Sequence, residues 1–241
     1  MGVSPEVARL CLPGTLSTLK AKGGVVLCNV LYDGSAAIYA VAVGIIMASS
    51  FDKVALAFPV PAVVISRDDR SKLLEYIRTA EYPTATILST ETTTDVMAPT
   101  VVPFSSRGPN PITPDILKPD ITAPDANILS AWSPLAFPSV WMFDDRQVDY
   151  YIISGTSMSC PHVTDAAAYN KAAHPTWSPA AIKSALMTTD SIMDPRKNED
   201  AEFGYGSGHI NPVKAVDPGL VFDASEADYV DFLCKVTTPP Y

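Results

Sequence analysis

Ser157 has the sequence surroundings of a nucleophile. It lies among small residues in the run Ile-Ser-Gly-Thr-Ser-Met-Ser-Cys-Pro-His-Val at 153–163, directly before an alanine-rich stretch that predicts a helix. Gly155 and Thr156 leave room for a substrate carbonyl group beside the hydroxyl group. The first N–H groups of a helix lack carbonyl partners and point toward any oxyanion that forms there. The pattern predicts acyl-transfer chemistry at Ser157, with the backbone N–H of the same residue as an oxyanion donor.

The three residues Gly-Thr-Ser also suit an ordinary helix start. Serine is a preferred residue at helix N-caps, where its side chain accepts a backbone hydrogen bond and has no chemical role. For these three residues alone, the cap is the commoner interpretation. The decision between the two depends on the longer sequence.

The longer run resembles the nucleophile motif of the subtilisin-like serine proteases, which reads Gly-Thr-Ser-Met, a small residue or two, then Pro-His-Val. Other segments resemble the same family in the same order, and they lie at 104–110, 118–124, 174–179, 205–209 and 218–221. Together they resemble the plant, cucumisin-like branch over about residues 11–234. The resemblance implies an extracellular endopeptidase that acts on proteins or peptides and needs no cofactor.

The base that such a serine needs has no match here. In this chemistry a base takes the hydroxyl proton and a carboxylate orients that base, and subtilisins carry the three residues in the order Asp, His, Ser. No histidine precedes Ser157, because His162, His174 and His209 all follow it. Five residues along a helix amount to a rotation of about 140°, so we expect His162 to point away from Ser157. It matches the structural histidine of the family.

The upstream carboxylates and amides do not match the family's catalytic positions either. The aspartates that we expect in turns or on solvated faces are Asp33, Asp52, Asp68, Asp95 and Asp120. The asparagines without the context of the family's side-chain oxyanion donor are Asn29, Asn110 and Asn127. The resemblance therefore implies a fragment that lacks the catalytic Asp, His and oxyanion Asn, and that is inactive alone.

The first part of the chain resembles a different domain. Cys-Leu-Pro-Gly-Thr-Leu at 11–16, followed by Lys-Gly-Gly-Val-Val-Leu-Cys at 22–28, resembles the later part of the protease-associated domain that plant subtilases carry between their histidine and serine segments. We therefore expect the chain to start inside that insertion. In the family, the cysteines that match Cys11 and Cys28 are bridged, and the same disulfide here would contribute about 3 kcal/mol of stability.

The expected fold class is α/β: a partial subtilisin-like parallel sheet flanked by helices, preceded by part of an α/β protease-associated domain. The expected domains are a partial protease-associated domain at 1–95, the C-terminal half of a subtilisin-like catalytic domain at 96–222, and a truncated lead-in to a fibronectin-like domain at 223–241. We expect residues 235–241 to be loose.

Apolar runs and their spacing predict the individual elements. Short runs between turn residues predict strands at 25–31, 44–48 and 61–66. The stripe of Leu73, Leu74 and Ile77 predicts a helix that begins near Asp69. Later elements are expected as strands of the parallel sheet at 101–104 and 127–131, the nucleophile helix at 157–172, and a helix capped by Ser178.

Three residues disagree with the pattern around them. Asn170 falls on the apolar stripe of the nucleophile helix. Asp165 occupies a glycine position of the family motif, and an unpaired buried carboxylate costs several kcal/mol or becomes protonated, so we expect it to damage the domain. Asp125 also replaces a family glycine, at a turn that could need a positive φ; the alternative is a harmless surface variant.

Composition excludes several classes of function. The chain has 47% hydrophobic and 18% charged residues, which suits one or two globular domains. The net charge of −9 and the scattered basic residues argue against nucleic acid or an anionic membrane as a partner. The longest apolar stretch, 36–48, is too short to span a bilayer. The four cysteines show no metal-ligand spacing.

Three functions remain open at this point. The leading one is the serine half of an endopeptidase, completed by an N-terminal subtilase part encoded upstream or supplied in trans. The second is a non-catalytic module that binds peptides or a partner protease. The third is a decayed gene fragment without a stable fold, since half a parallel sheet leaves an open edge and a bare apolar face.

Overall fold

The computed structural model describes residues 3–51 and 54–237. The chain divides into two compact units, one formed by residues 1–93 with 127–154 and the other by residues 94–126 with 155–241. We call them the sheet unit and the serine unit. The domain limits expected at 95 and 222 stay predictions.

The sheet unit contains a parallel sheet of three strands in the order β1-β2-β3. The strands are β1 (Val25–Cys28), β2 (Gly44–Ala48) and β3 (Ala62–Ile65), and the helices around them are α1 (Pro5–Ala8), α2 (Thr18–Ala21), α3 (Ser35–Tyr39) and α4 (Arg67–Thr79). The strand predictions are confirmed, two of them with shorter bounds. Helix α4 begins before Asp69 because Ser66 caps it, accepting the Asp69 N–H at 3.1 Å.

The core of the sheet unit lies around its central strand. Ile45 and Met47 alternate along β2 onto one face and are almost fully buried. They pack with Ala36 and Ala37 of α3 and with a disulfide between Cys11 and Cys28, the pair that the resemblance implies. The central strand β2 and the disulfide therefore belong to the same buried cluster.

A hairpin completes the sheet unit. Strand β4 (Ile128–Ala131) pairs antiparallel with β5 (Tyr150–Ile153), and Ile128 lies opposite Ile153. In the loop between them, the buried Asp144 carboxylate accepts hydrogen bonds from the Arg146 guanidinium at 2.6 and 2.8 Å and from the Ser139 hydroxyl at 2.6 Å. Arg146 also donates to the Phe58 carbonyl at 2.8 Å, which fixes the loop within this unit.

The two strands expected in a catalytic parallel sheet are wrong in different ways. Residues 101–104 form no strand: the Val101 N–H donates to the Asn198 side chain at 2.7 Å, and the chain turns back where the Ser105 N–H meets the Val102 carbonyl. Residues 127–131 do contain a strand, but it pairs antiparallel with β5. The parallel sheet lies in the first part of the chain. The α/β class itself is confirmed.

The serine unit is mainly helical. Its helices are α5 (Thr156–Ala173), α6 (Pro179–Thr188), α7 (Glu202–Tyr205), α8 (Pro212–Ala215) and α9 (Glu226–Thr237). The predictions for α5 and α6 are confirmed, and Ser178 caps α6 by accepting the Ala181 N–H at 2.9 Å. Ala166, Leu186 and Ala215 are among the buried residues that join α5, α6 and α8 in one core.

The C-terminal expectation is wrong in part. Residues up to Thr237 are helical rather than loose, and residues 238–241 lie outside the described residues. None of the helices in the described ranges has the length and apolarity needed to cross a bilayer.

Candidate active site

Ser157 is exposed at the second position of helix α5. Helix geometry leaves its N–H group without a carbonyl partner in the helix. The residue before the helix, Gly155, has φ 157° and ψ 154°, a conformation that side chains disfavour, so glycine is needed at this turn. The structure thus presents a hydroxyl group and an open N–H group of the same residue to the surface, beside a residue with no side chain.

Residues 123–125 hold this turn in place. The Gly155 N–H donates to the Asp125 carbonyl at 2.9 Å, and the Ser159 hydroxyl donates to the Ala123 carbonyl at 3.0 Å. The Gly155 carbonyl in turn accepts the Met158 N–H at 2.8 Å. Two bonds from one segment therefore fix the backbone on either side of Ser157.

The three histidines have partners other than the Ser157 hydroxyl. The Nδ1 atom of His162 lies 2.7 Å from the Met158 carbonyl and donates to it. His174 stacks on Trp177 with ring centroids 3.7 Å apart at the other end of α5, and its Nε2 lies 2.7 Å from the Val216 carbonyl. His209 takes part in backbone bridges to Thr122 and Ser191.

The upstream aspartates have local partners. Asp33 accepts the Ser35 N–H at 2.9 Å, Asp95 accepts the Met97 N–H at 2.8 Å, and Asp68 is exposed in the first turn of α4. Asp52 lies outside the described residues. None of the three described here is bonded to an imidazole.

Asp120 differs from the expected turn or solvated face. Its half-buried carboxylate lies 2.7 Å from the ammonium groups of both Lys118 and Lys183. Burial opposes ionisation, but the two lysines outweigh it and lower the pKa of Asp120. Asp120 is thus a structural anion in an ion-pair network.

The three asparagines also serve local structure. Asn29 accepts a hydrogen bond from the Arg70 guanidinium, and Asn110 accepts the Ile112 N–H at 2.9 Å. The Asn127 side chain accepts the Ala55 N–H at 2.7 Å. Each of the three asparagines thus has a local partner, and the Ser157 N–H as oxyanion donor stays a prediction. No group of three or more His, Cys, Asp or Glu residues within the described ranges is arranged to hold a metal ion.

The structure contradicts the expectation for Asp165 and one of the two alternatives for Asp125. Asp165 is exposed on the outer face of α5, so its carboxylate stays in water and the burial cost does not arise. The backbone of Asp125 does not have a positive φ; Asn127, two residues later, has φ 57°. Asp125 is half-buried, and burial raises the pKa of its carboxyl group although the Ser105 side chain partly offsets the effect.

Asn170 is fully buried, as its place on the apolar stripe predicts. Its Nδ2 donates to the Ala166 carbonyl at 3.0 Å, while its Oδ1 has no hydrogen-bond partner among the described residues. The helix therefore buries one unsatisfied carbonyl oxygen, which costs about 1–3 kcal/mol.

An apolar groove of about 750 Å³ lies beside α5 in the serine unit. The apolar residues that line it include Ile121, Val163, Ala167, Trp177, Ile182 and Leu186. We call it the α5 groove. Sequence reasoning missed it, because the residues that form it are also those of an ordinary buried helix face.

Comparison with known proteins decides the family. The sequence model described as Subtilase family matches residues 29–206. The chain belongs to the subtilase family. Subtilisin-like protease SBT4.6 of Arabidopsis thaliana is 46% identical over 230 residues, which cover 94% of this chain and 31% of the relative. Subtilisin-like protease SBT4.15 of the same plant is 54% identical over 168 residues, covering 70% of this chain and 22% of the relative.

These matches place the subtilase among the plant subtilisin-like proteases that the motifs resemble. The chain spans about one third of the length of the first relatives it matches. The relatives' names describe them as proteases. Because the chain covers only about a third of their length, these matches do not assign their activity to it.

Proposed function

We propose that this chain carries the nucleophile of a subtilisin-like serine endopeptidase, and that protein outside these 241 residues supplies the rest of the catalytic machinery. The observation that carries the proposal is the exposed Ser157 at the second position of α5, beside Gly155 and with an open N–H group. Substrates are proteins or peptides, because the chemistry acts on a peptide carbonyl.

The reaction follows from the position of the hydroxyl group. The Ser157 Oγ attacks the carbonyl carbon of a peptide bond while a base takes the hydroxyl proton, and the carbonyl electrons move to the oxygen. The Ser157 N–H donates to that oxyanion, aided by the positive end of α5. The base then protonates the leaving amine, and water releases the acyl group by the same steps.

The base is proposed to lie outside the chain. His162 donates to a backbone carbonyl in its own helix, and His174 stacks on Trp177 at the far end of α5. A base must come within about 3 Å of the hydroxyl oxygen, directly or through one water. An imidazole, its orienting carboxylate and a side-chain oxyanion donor from an N-terminal subtilase part would complete the site, in the same polypeptide or in trans.

The α5 groove supports this assignment. The groove exposes a volume of about 750 Å³ lined by apolar side chains beside the proposed catalytic helix. Exposed apolar surface of this kind is typical of an interaction site. Because the chain covers 31% of one relative, the remaining length of such a relative is ample to fill it. We propose the N-terminal part of a subtilase catalytic domain as its occupant. The alternative function, a non-catalytic module that binds peptides or a protease, would use the same groove without acylation at Ser157.

We further propose that the protein works outside the cell. The disulfide between Cys11 and Cys28 suits an oxidising compartment, where such bonds persist. Mass mapping without reductant on material secreted by plant cells would show the bridge. Absence of the protein from the secreted material would reject this location, and recovery of both residues there as thiols would reject the bridge.

A fluorophosphonate probe tests the enzymatic proposal, because it reacts with an activated serine hydroxyl. The full chain is incubated with the probe alone, and then with the part of Subtilisin-like protease SBT4.6 that lies N-terminal to the matched region. We expect labelling of Ser157 only in the mixture, and casein hydrolysis only there. Ser157→Ala should remove both signals, while Ser133→Ala, at an exposed serine of the sheet unit, should leave them unchanged.

Two results would reject the proposal. One is casein hydrolysis by the isolated chain that Ser157→Ala abolishes, since this would place the base within the chain. The other is stable complex formation with the N-terminal part, measured by size-exclusion chromatography with light scattering, without labelling of Ser157. That second outcome favours the binding module.

A further inference from the structure

A smaller cavity lies in the sheet unit, between helix α4 and strand β1. Its volume is about 320 Å³. The side chains of Arg9 and Arg70 line it, and we call it the arginine cavity. Its apolar lining comes from β1 and α4, through Val25, Leu27, Leu74 and Ile77.

The periods of the two elements explain why these side chains meet. Val25 and Leu27 are two residues apart on β1, so both point to the same face of the sheet. Arg70, Leu74 and Ile77 follow the i, i+4, i+7 spacing of one helix face on α4. A guanidinium group therefore stands at one end of an apolar wall.

The cation of Arg70 has few partners. The residue is half-buried, its Nη2 donates to the Asn29 side chain, and its Nε is buried without a hydrogen-bond partner among the described residues. Within the same part of the chain, neither Arg9 nor Arg70 forms an ion pair. The arginines that do pair with an aspartate are Arg107, Arg146 and Arg196. A half-buried cation without an anion is costly, and an anionic ligand would offset that cost.

The residues around the two arginines are held in place before any ligand binds. The Asn29 N–H donates to the Arg9 carbonyl at 2.8 Å, and the Asn29 side chain accepts from Arg70. The disulfide joins Cys11, two residues after Arg9, to Cys28, the residue before Asn29. One asparagine and one covalent bond thus connect both arginine-bearing segments to the end of β1, which lowers the cost of ordering a binding site.

We propose that the arginine cavity binds a carboxylate that carries an apolar chain, as the C-terminal residue of a peptide does. A planar guanidinium group matches a carboxylate through two parallel N–H···O bonds. The apolar lining contacts the attached chain, and the volume falls at the lower end of the range for small-molecule sites. The inference uses residues of the sheet unit alone and does not rest on the proposed function.

The apolar lining favours this ligand over inorganic phosphate. Phosphate is strongly hydrated and gains nothing from apolar walls, whereas it would lose water on entering the cavity. An apolar carboxylate places its charge at the arginines and its chain against β1 and α4. Both halves of the cavity are then used.

Titration of the full chain with N-acetyl-leucine, followed by nuclear magnetic resonance of the backbone amides, tests the site. We expect shifts confined to residues 9, 25–29 and 70–77 and a Kd on the order of 1 mM. N-acetyl-leucine amide, which lacks the carboxylate, should not bind. N-acetylglycine, which lacks the apolar chain, should bind about tenfold more weakly.

A further acid identifies the source of the ligand. The probe 4-methylpentanoate has the carboxylate and the apolar chain but no peptide group. Tighter binding of N-acetyl-leucine than of this acid supports a peptide C-terminus, and equal binding supports a free apolar acid at the same carboxylate site.

Variants assign the binding to the two arginines. Arg70→Gln and Arg9→Gln should each weaken N-acetyl-leucine about tenfold, because each removes a charge-assisted hydrogen bond. Arg78→Gln is the matched control: it removes the same charge from an exposed arginine of α4 and should leave the Kd unchanged. Arg9 is exposed, so Arg9→Gln should melt as the wild type does and tests the site even if Arg70→Gln unfolds.

Four results would overturn the proposal. They are the absence of shifts at ten times the expected Kd, equal binding of the acid and its amide, tighter binding of inorganic phosphate than of N-acetyl-leucine, and equal weakening by Arg78→Gln and Arg9→Gln. Ser157→Ala should leave the Kd unchanged, so that failure of this proposal and failure of the proposed function are observed separately.

Discussion

The two units bury their central elements to different degrees. In the sheet unit, four of the five residues of β2 are buried, and a disulfide joins their cluster. In the serine unit, the 18 residues of α5 include two buried ones, Ala166 and Asn170, and the α5 groove runs beside the helix. The central strand of the sheet unit is therefore enclosed by its own unit, whereas much of the surface of α5 in the serine unit is exposed.

Loss of the disulfide should change the stability of one unit more than any other substitution proposed here. Replacing Cys11 and Cys28 together by serine should lower the unfolding free energy of the sheet unit by about 3 kcal/mol, because the bond closes a loop of 17 residues. Hydrogen exchange measured by mass spectrometry should show faster exchange in β1 to β3. Equal acceleration in α5 and α6 would mean that the serine unit also depends on the bridge.

Asn170→Leu should stabilise the serine unit. The change removes a buried carbonyl oxygen that has no partner among the described residues, and the unfolding free energy of the serine unit should rise by about 1–2 kcal/mol. Thermal melting of the variant measures this. Asn198→Leu is the control: Asn198 is buried but accepts the Val101 N–H and donates to the Asp194 carbonyl, so its loss should destabilise.

Acid should weaken the sheet unit through Asp144. The Arg146 guanidinium, and secondarily the Ser139 hydroxyl, lower the pKa of this buried carboxyl group to about 2, against an ordinary value of 3.8. The folded state then holds the proton less tightly than the unfolded state, so the stabilisation is complete above the ordinary value and is lost as the pH falls toward 2.

Asp144→Asn checks this pH dependence. Since the Arg146 side chain is about half exposed, we expect a loss of about 1–2 kcal/mol at pH 7 and a much smaller loss near pH 2, measured by urea unfolding. An equal loss at both pH values would show that shape, rather than charge, makes the difference.

The helix caps should give the smallest effects and compare the units directly. Ser66 caps α4 in the sheet unit and Ser178 caps α6 in the serine unit. Each change to alanine should cost about 1 kcal/mol in its own unit. Exchange rates across α4 and α6 in the two variants will show whether each loss stays local. Threonine at either position should restore most of the stability.

Local patterns were enough to predict the elements whose signals lie within a few residues. The strands β1 to β3 are apolar runs between turn residues, and α6 follows a serine cap and a proline. The position of Ser157 at the start of α5 also follows from its neighbours. In each case a short stretch of sequence contains the cause.

Other features depend on residues far apart in the chain, and the sequence could not show them. Val101 looks like part of a strand, yet its N–H is bonded to Asn198. The partner of β4 follows an irregular loop, so the antiparallel pairing had no periodic signal. Asp165 seemed costly because the family motif was assumed to be enclosed, whereas here that side of α5 is exposed.

A hydrogen bond joins the two ends of the hairpin formed by β4 and β5. The Asn127 N–H donates to the Ser154 hydroxyl at 2.8 Å, and one residue further on the Gly155 N–H meets the Asp125 carbonyl. Because the cost of closing a loop grows slowly with its length, the exposed residues 133–135, which lie outside the Asp144 network of the loop, can be lengthened at little cost. An affinity tag inserted there would label the sheet unit while the buried Asp144 network stays in place.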